Sequence, residues 1–314
     1  MRLLLPLLLC ASGLPFDALA QGTSVDCAHA STAIEKMICA QPDLSKADEE
    51  LARTFTSALA MTLRPATLRL DQIAWLAKRD ELTTADDLRA AYRNRANELS
   101  RLAEAWRRFR RPVPVDEART HCLASPDAPA DVCTVEIFAA VPDGQGLHYQ
   151  QQVYRDGDFR AGGGVVVLRE EDDRLMPIAA MAEDTAHYAA PSLLSSPAGQ
   201  LLVVPGHLEG TGNFNAGALY RREGEAFVEI DTQSWLADLQ QRLPQGWGAW
   251  KGIYPDFGPD FETFAASTPL WQAGDGNCCP TAGRADLTLS LQDGRLVIRE
   301  LKIVKGAQAA DDAR

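Results

Sequence analysis

Apolar residues change their spacing near residue 111, and the change divides the chain into a helical stretch and a β-rich one. From residue 24 to about 111 the period is helical. Ser45, with Asp48 three residues on, reads as a capping box, in which two side chains satisfy the free amides at a helix start. Leu51, Phe55 and Leu59 then recur every fourth residue as one buried stripe. Pro65 suits the first turn of a second helix, where its missing amide hydrogen costs nothing, and Leu68, Gln72, Trp75 and Arg79 follow at steps of three or four. A third long helix carries Leu88, Tyr92, Arg95, Leu99 and Trp106. Three helices gathered around Phe55, Trp75 and Tyr92 make a small bundle. It ends in the run from Arg107 to Pro114, where Pro112 and Pro114 remove amide donors and push their predecessors toward extended geometry.

Beyond that run the period becomes two, over residues 134–141, 148–154 and 165–168. Leu287, Leu289 and Leu291 mirror Leu296 and Ile298 across Asp293-Gly294, a strong hairpin signal. One helix is expected from residue 232 to about 243, with Asp231 or Thr232 as cap, Trp235, Leu236 and Leu239 facing inward, and Pro244 stopping it. The predicted class is therefore α+β: a disulfide-stapled three-helix bundle over residues 24–111, then a β-rich, mostly antiparallel domain with one helix over residues 115–305. Residues 306–314 are polar and alanine-rich and read as a disordered tail.

Ahead of the bundle, Arg2, the apolar run Leu3 to Leu9 and the small-residue site Ala18-Leu19-Ala20 have the form of a secretory leader. Residues 1–20 are thus expected to be a signal peptide, with the mature chain starting at Gln21. A bilayer span takes about 20 apolar residues, whereas this run is broken by Gly13, Pro15 and Asp17. Cys10 follows Leu9, where a lipobox needs a small residue, so export without a lipid is the expectation, to the periplasm or the medium.

Removing the leader leaves Cys27, Cys39, Cys122, Cys133, Cys278 and Cys279, an even number suited to an oxidising compartment and to three bridges. Cys27 and Cys39 flank a predicted short helix and are close enough to join; closing a loop of about 13 residues stabilises by roughly 3 kcal/mol. Adjacent cysteines bond to each other only across a distorted peptide. The pattern therefore favours tying Cys278 and Cys279 to Cys122 and Cys133. The alternative joins Cys122 to Cys133 and leaves a free or vicinal 278/279 pair, a redox or copper-binding candidate.

Charge is uneven: residues 24–111 carry 15 Lys and Arg against 13 Asp and Glu, while the rest of the chain after the leader carries 15 against 29. An acidic second half disfavours nucleic acid and steers basic partners toward it, besides aiding solubility. Within it, His207 and Glu209 are alternate residues of a possible strand end beside a glycine-rich loop and would share a face. They supply at most two ligands where catalytic zinc takes three, the other histidines show no helpful spacing, and a tight hairpin loop is the simpler reading. Trp247, Trp250, Tyr254, Phe257, Phe261 and Trp271 could line a groove for glycan or peptide, with core filling the preferred reading. The sequence holds no nucleophile elbow, phosphate-binding loop, His-Glu-x-x-His helix or dinucleotide fingerprint. No catalytic residue, metal site or cofactor is predicted from it.

The segments SVDCAHASTAIEKMICAQPDLSKADEEL, DQIAWLAKRD and LRAAYRNRANEL carry Cys27, Glu35, Cys39, Gln72, Trp75, Arg79, Asp80, Tyr92 and Arg95 at a spacing that resembles the N-terminal domain of the LprI family of lysozyme inhibitors. The resemblance covers about a quarter of the chain. It implies an envelope binding protein, not an enzyme, that occludes a basic partner such as c-type lysozyme. The family's second cysteine pair is replaced here by Leu82 and Asp87, which leaves Cys27 with Cys39. Gln72, Trp75, Arg79, Tyr92 and Arg95 read as a polar network holding the bundle together, with Arg79 and Asp80, as helix neighbours, each expected to find a different partner. Two other readings stand beside inhibition: a cell-wall-acting enzyme using His207, Glu209 or the aromatic segment, and a structural envelope module.

Overall fold

The computed structural model describes residues 25–125, 131–196, 199–210, 215–249, 254–257, 263–276 and 278–306. The expected leader and residues 307–314 of the expected tail lie outside the described residues. The class is α+β: four helices in the N-terminal part, then a mostly antiparallel β-rich region. Two compact units are present, residues 25–61 with 68–103 and residues 62–67 with 104–306. No helix among the described residues is long and apolar enough to cross a membrane.

The first unit is built on α1 (Ala33–Ala40), α2 (Pro42–Met61) and most of α3 (Pro65–Asp80) and α4 (Ala85–Phe109). Its capping box lies at α1, not at Ser45. Thr32 Oγ1 accepts from the Glu35 amide at 3.1 Å, and Glu35 Oε2 accepts from the Thr32 amide at 2.9 Å. Pro42 sets the start of α2 three residues ahead of Ser45, because proline at the first helical position gives up only an amide that would be unpaired anyway. Ser45 Oγ turns back to Ile38 O at 2.8 Å, and Asp48 is buried. Ile38, Leu44, Leu51, Phe55, Leu88, Tyr92 and Leu99 form the core, with Trp75 half-buried against it. Cys27–Cys39 closes over α1.

In the second unit, β1 (Val113–Pro114), β2 (Cys133–Ala140), β3 (Leu147–Asp156), β4 (Phe159–Glu171) and β5 (Arg174–Asp184) form an antiparallel sheet in the order β1-β5-β4-β3-β2, with α5 (Val115–Thr120) after β1. The short strands β6 (Ala186–Tyr188) and β9 (Gly206–Leu208) pair with each other. β7 (Ser192–Ser196), β8 (Gly199–Val204), β10 (Ala218–Glu223) and β11 (Ala226–Glu229) make a second sheet, β11-β10-β8-β7. After α6 (Ser234–Arg242), β12 (Trp247–Gly248), β13 (Tyr254–Phe257), β14 (Thr263–Gln272), β15 (Gly283–Gln292) and β16 (Arg295–Lys305) form the third.

Residues 165–168 do not alternate. All four are fully buried, because the first sheet is covered on both faces. Val165 and Val167 pack with Leu202, Val204 and Tyr220, while Val166 and Leu168 pack with Val113, Ala118 and Leu123. The third sheet packs Leu287, Leu289 and Leu296 on Trp235 and Leu239 of α6. Its β15–β16 hairpin turns at Asp293 and Gly294, whose φ of 49° and 71° suit an Asp-Gly turn. α6 begins at Ser234, later than the sequence implies: Asp231 Oδ1 accepts from the Gln233 amide at 2.9 Å, so Asp231 organises the turn before the helix rather than capping it.

Cysteine pairing differs from the favoured expectation. Cys122 bonds to Cys133 and Cys278 to Cys279. The chain after α5 doubles back into β2, which brings the first two to a Cα separation of 6.3 Å, inside the bridging range. Buried Gln150 holds that return segment, accepting from the Leu123 amide at 3.0 Å and donating to His121 O at 2.8 Å. The segment Thr62–Thr67 belongs to the second unit, where buried Glu229 accepts from Arg64 Nε at 3.1 Å, the Thr67 amide at 3.1 Å and Thr67 Oγ1 at 2.8 Å.

Candidate functional site

Most residues of the family-like motif turn inward. Tyr92, on α4, donates to Asp48 Oδ1 on α2 at 2.8 Å, and Asp48 Oδ2 accepts from the Val25 amide at 2.6 Å. Arg79 Nη1 lies 3.5 Å from the Tyr92 hydroxyl and 3.8 Å from Asp48 Oδ1. Contrary to the helix-neighbour argument, Arg79 also grips Asp80, with Nε and Nη2 donating to Oδ1 at 2.8 and 2.6 Å. Asp80 is the last residue of α3, and the long arginine side chain reaches its neighbour there. Burial is the largest cause that raises the Tyr92 phenol above its ordinary range, followed by the charge of Asp48.

A second network centres on Arg95, whose side chain is 3% exposed. It donates to Gln72 Oε1 at 3.0 Å, Asp71 Oδ2 at 2.6 Å and Glu98 Oε2 at 3.0 Å. Trp75 meets Tyr92 edge to face with centroids 5.7 Å apart. These groups interlock α2, α3 and α4. Asp48, Asp71 and Glu98 are the members that sequence reasoning missed: Asp48 and Asp71 reach their partners from other helices, which no single-helix pattern shows, whereas Glu98 stands three residues from Arg95 on α4, a spacing the sequence does carry.

His207 and Glu209 come together around a residue outside the expected pair. β6 pairs with β9 so that His187 lies directly opposite His207, and the two rings stack with centroids 5.4 Å apart. His187 Nε2 is hydrogen-bonded to Glu209 Oε1, and the Glu209 amide donates to Thr185 O at 2.7 Å. The His187 and Glu209 side chains are 29% and 46% exposed. A solvent-facing imidazole-carboxylate pair with a second imidazole beside it can exchange a proton. Among the described residues no group of three His, Cys, Asp or Glu is arranged to hold a metal ion. Residues 211–214 of the glycine-rich loop lie outside the described residues.

Of the aromatic segment, Trp271 is fully buried and Trp247 half-buried against the core of the third sheet. Tyr254 and Phe257 lie on β13, and Trp250 and Phe261 are outside the described residues. Two buried hydroxyls, Tyr188 and Tyr220, have no hydrogen-bond partner among the described residues, and burial pushes both phenols up.

One end of the second unit gathers carboxylates. The β4–β5 turn carries Glu170, Glu171, Asp172 and Asp173, the β2–β3 loop Asp143, and the β10–β11 turn Glu223 and Glu225, all exposed. These loops meet: the Glu170 amide donates to Gly146 O at 2.8 Å, and Arg169 bonds both Glu171 and the carbonyl of Glu225. Arg169 and Arg222 offset part of the charge. Comparison of the chain with protein-family models, curated proteins and solved structures gave no match.

Proposed function

We propose that this is an exported envelope protein that binds and occludes a basic protein of the c-type lysozyme class, with residues 1–20 as its signal peptide. On this reading α2, α3 and α4 are the three-helix bundle of the LprI-like domain, and the residues that carry the resemblance are its frame. The observation that carries a basic partner is the acidic end formed by the β2–β3, β4–β5 and β10–β11 loops. Carboxylates on loops joined by Arg169 and by the Glu170 amide to Gly146 O present a fixed negative field, which speeds encounter with a cation-rich surface. The three disulfides are in keeping with an oxidising compartment.

The test is binding of residues 21–314 to hen-type lysozyme at physiological salt, with lysis activity read in parallel. Salt is set there because low ionic strength lets unspecific attraction pass for recognition. Saturable one-to-one binding with loss of lysis supports inhibition; absence of binding rejects it.

The His187–Glu209 pair favours a second reading, an enzyme acting on cell-wall material. Here His207 and Glu209 would serve as proton-exchanging groups beside His187. Assays on peptidoglycan with the parent chain and with His207→Ala and Glu209→Ala variants decide it: inactivity of the parent, or activity untouched by either substitution, removes it.

A further inference from the structure

The Cys278–Cys279 bridge closes a ring across one peptide unit and so ties no two parts of the fold together. Its counterparts do: Cys27–Cys39 encloses α1, and Cys122–Cys133 anchors the return from α5 into β2 with both cysteines buried. A structural staple stabilises more as the loop it closes lengthens, so a bridge between neighbours contributes little of that kind. Cys278 and Cys279 are also both exposed, and an exposed disulfide is open to attack by a thiolate.

The surrounding loop is held by contacts that involve no sulfur. Asp275 accepts from the Gln272 amide at 2.9 Å, the Thr281 amide at 2.8 Å and Thr281 Oγ1 at 2.6 Å. The Thr281 hydroxyl is the largest cause that holds the Asp275 carboxyl below its usual range. Gln272 Nε2 donates to Thr281 Oγ1 at 2.8 Å, and the indole of buried Trp271 donates to Gly276 O at 3.1 Å. Both ends of the loop therefore remain anchored whether the sulfurs are joined or parted.

We propose that Cys278–Cys279 is a redox-active site whose reaction partner is a dithiol, either a small molecule or the paired cysteines of a thiol-disulfide oxidoreductase. A thiolate of the dithiol attacks one sulfur, the Cys278–Cys279 bond breaks, and the departing cysteine thiolate takes up a proton. The second thiol of the reductant, as its thiolate, then attacks the mixed disulfide at the reductant's own sulfur, closing the reductant's disulfide and releasing the remaining cysteine thiolate, which is protonated in turn. The protein gains two electrons and two protons as two thiols, and the reductant becomes a disulfide. Oxidation by a disulfide of higher potential runs the same steps backward.

The chain from residue 21, with its bridges intact, is equilibrated in graded dithiothreitol redox buffers, trapped with an alkylating reagent and mapped by mass. The peptide holding Cys278 and Cys279 is expected to take two labels under conditions that leave the other two bridges closed. Its reduction equilibrium constant should exceed theirs by at least about tenfold, or about 30 mV for a two-electron couple. A Cys278→Ser, Cys279→Ser variant should keep the other two bridges and lose the early labelling. Opening no earlier than Cys27–Cys39 and Cys122–Cys133 overturns the proposal, as does a non-reducing map joining Cys278 or Cys279 to any other cysteine. Should the variant fail to fold, the parent labelling decides alone.

Discussion

The Tyr92 hydroxyl on α4 donates a hydrogen bond to Asp48 Oδ1 on α2 at 2.8 Å, in an interior where Tyr92 is 1% and Asp48 6% exposed. Asp48 is also the acceptor for the Val25 amide and lies beside Arg79. Removing it by Asp48→Ala takes one of two carboxylates from a buried guanidinium and leaves the Tyr92 hydroxyl without its acceptor, and should cost about 3 kcal/mol. Tyr92→Phe keeps the ring against Trp75 and loses the bond to Asp48 with the long contact from Arg79, about 1 kcal/mol. Urea unfolding of the full chain measures both, and an Asp48→Ala midpoint equal to the parent's would reject this network as a support of the fold.

Glu35 closes the capping box of α1, and hydrogen bonds from the Thr32 and then the Ser31 amide hold its carboxyl below the ordinary value of 4.5. A folded pKa below the unfolded one contributes stability that is present above the unfolded value and is lost as pH falls through the folded one. Glu35→Gln should therefore be less stable than the parent at neutral pH, with the gap narrowing as the solution is acidified below about 4.5. A gap independent of pH between neutrality and pH 3 would contradict the assignment.

How much of this was legible beforehand differs by range. The paired strands around Asp293-Gly294 and the helix carrying Trp235 and Leu239 are local patterns, and the chain realises them with shifts of a residue or two. Ser45 and Asp48 match a capping box in sequence, yet Pro42 starts the helix earlier and Asp48 is recruited by Tyr92, 44 residues away. His187 was passed over for the same reason: only the pairing of β6 with β9, about 20 residues apart, sets it against His207. The adjacency of Cys278 and Cys279 argued against their joining, and the fold joins them. Periodicity reports which face is buried; it carries no term for which distant polar group will meet it.

Tyr220 is fully buried, and its hydroxyl has no partner among the described residues. Such a group keeps its desolvation penalty with no compensating bond, so Tyr220→Phe should raise stability by about 1 kcal/mol. A loss of stability in thermal or urea unfolding would mean that the hydroxyl has a partner.

Asp172 and Asp173, with φ of 49° and 51°, form the tip of the β4–β5 turn, a conformation that asparagine adopts as readily as aspartate. Changing them to Asn together with Glu170→Gln should leave the turn intact while removing three charges. If the acidic end meets lysozyme, association should slow by about tenfold at low salt, and by less at physiological salt, with dissociation little changed. An unaltered association rate would exclude this end from the encounter.

The three bridges join the six cysteines from Cys27 onward in chain order, each with the next: Cys27 with Cys39, Cys122 with Cys133 and Cys278 with Cys279. Each can therefore close as soon as its later member emerges, before any competing cysteine downstream is exposed. An oxidant that met the cysteines in order from the N-terminal end would reach this set directly, without passing through a pairing that has to be undone.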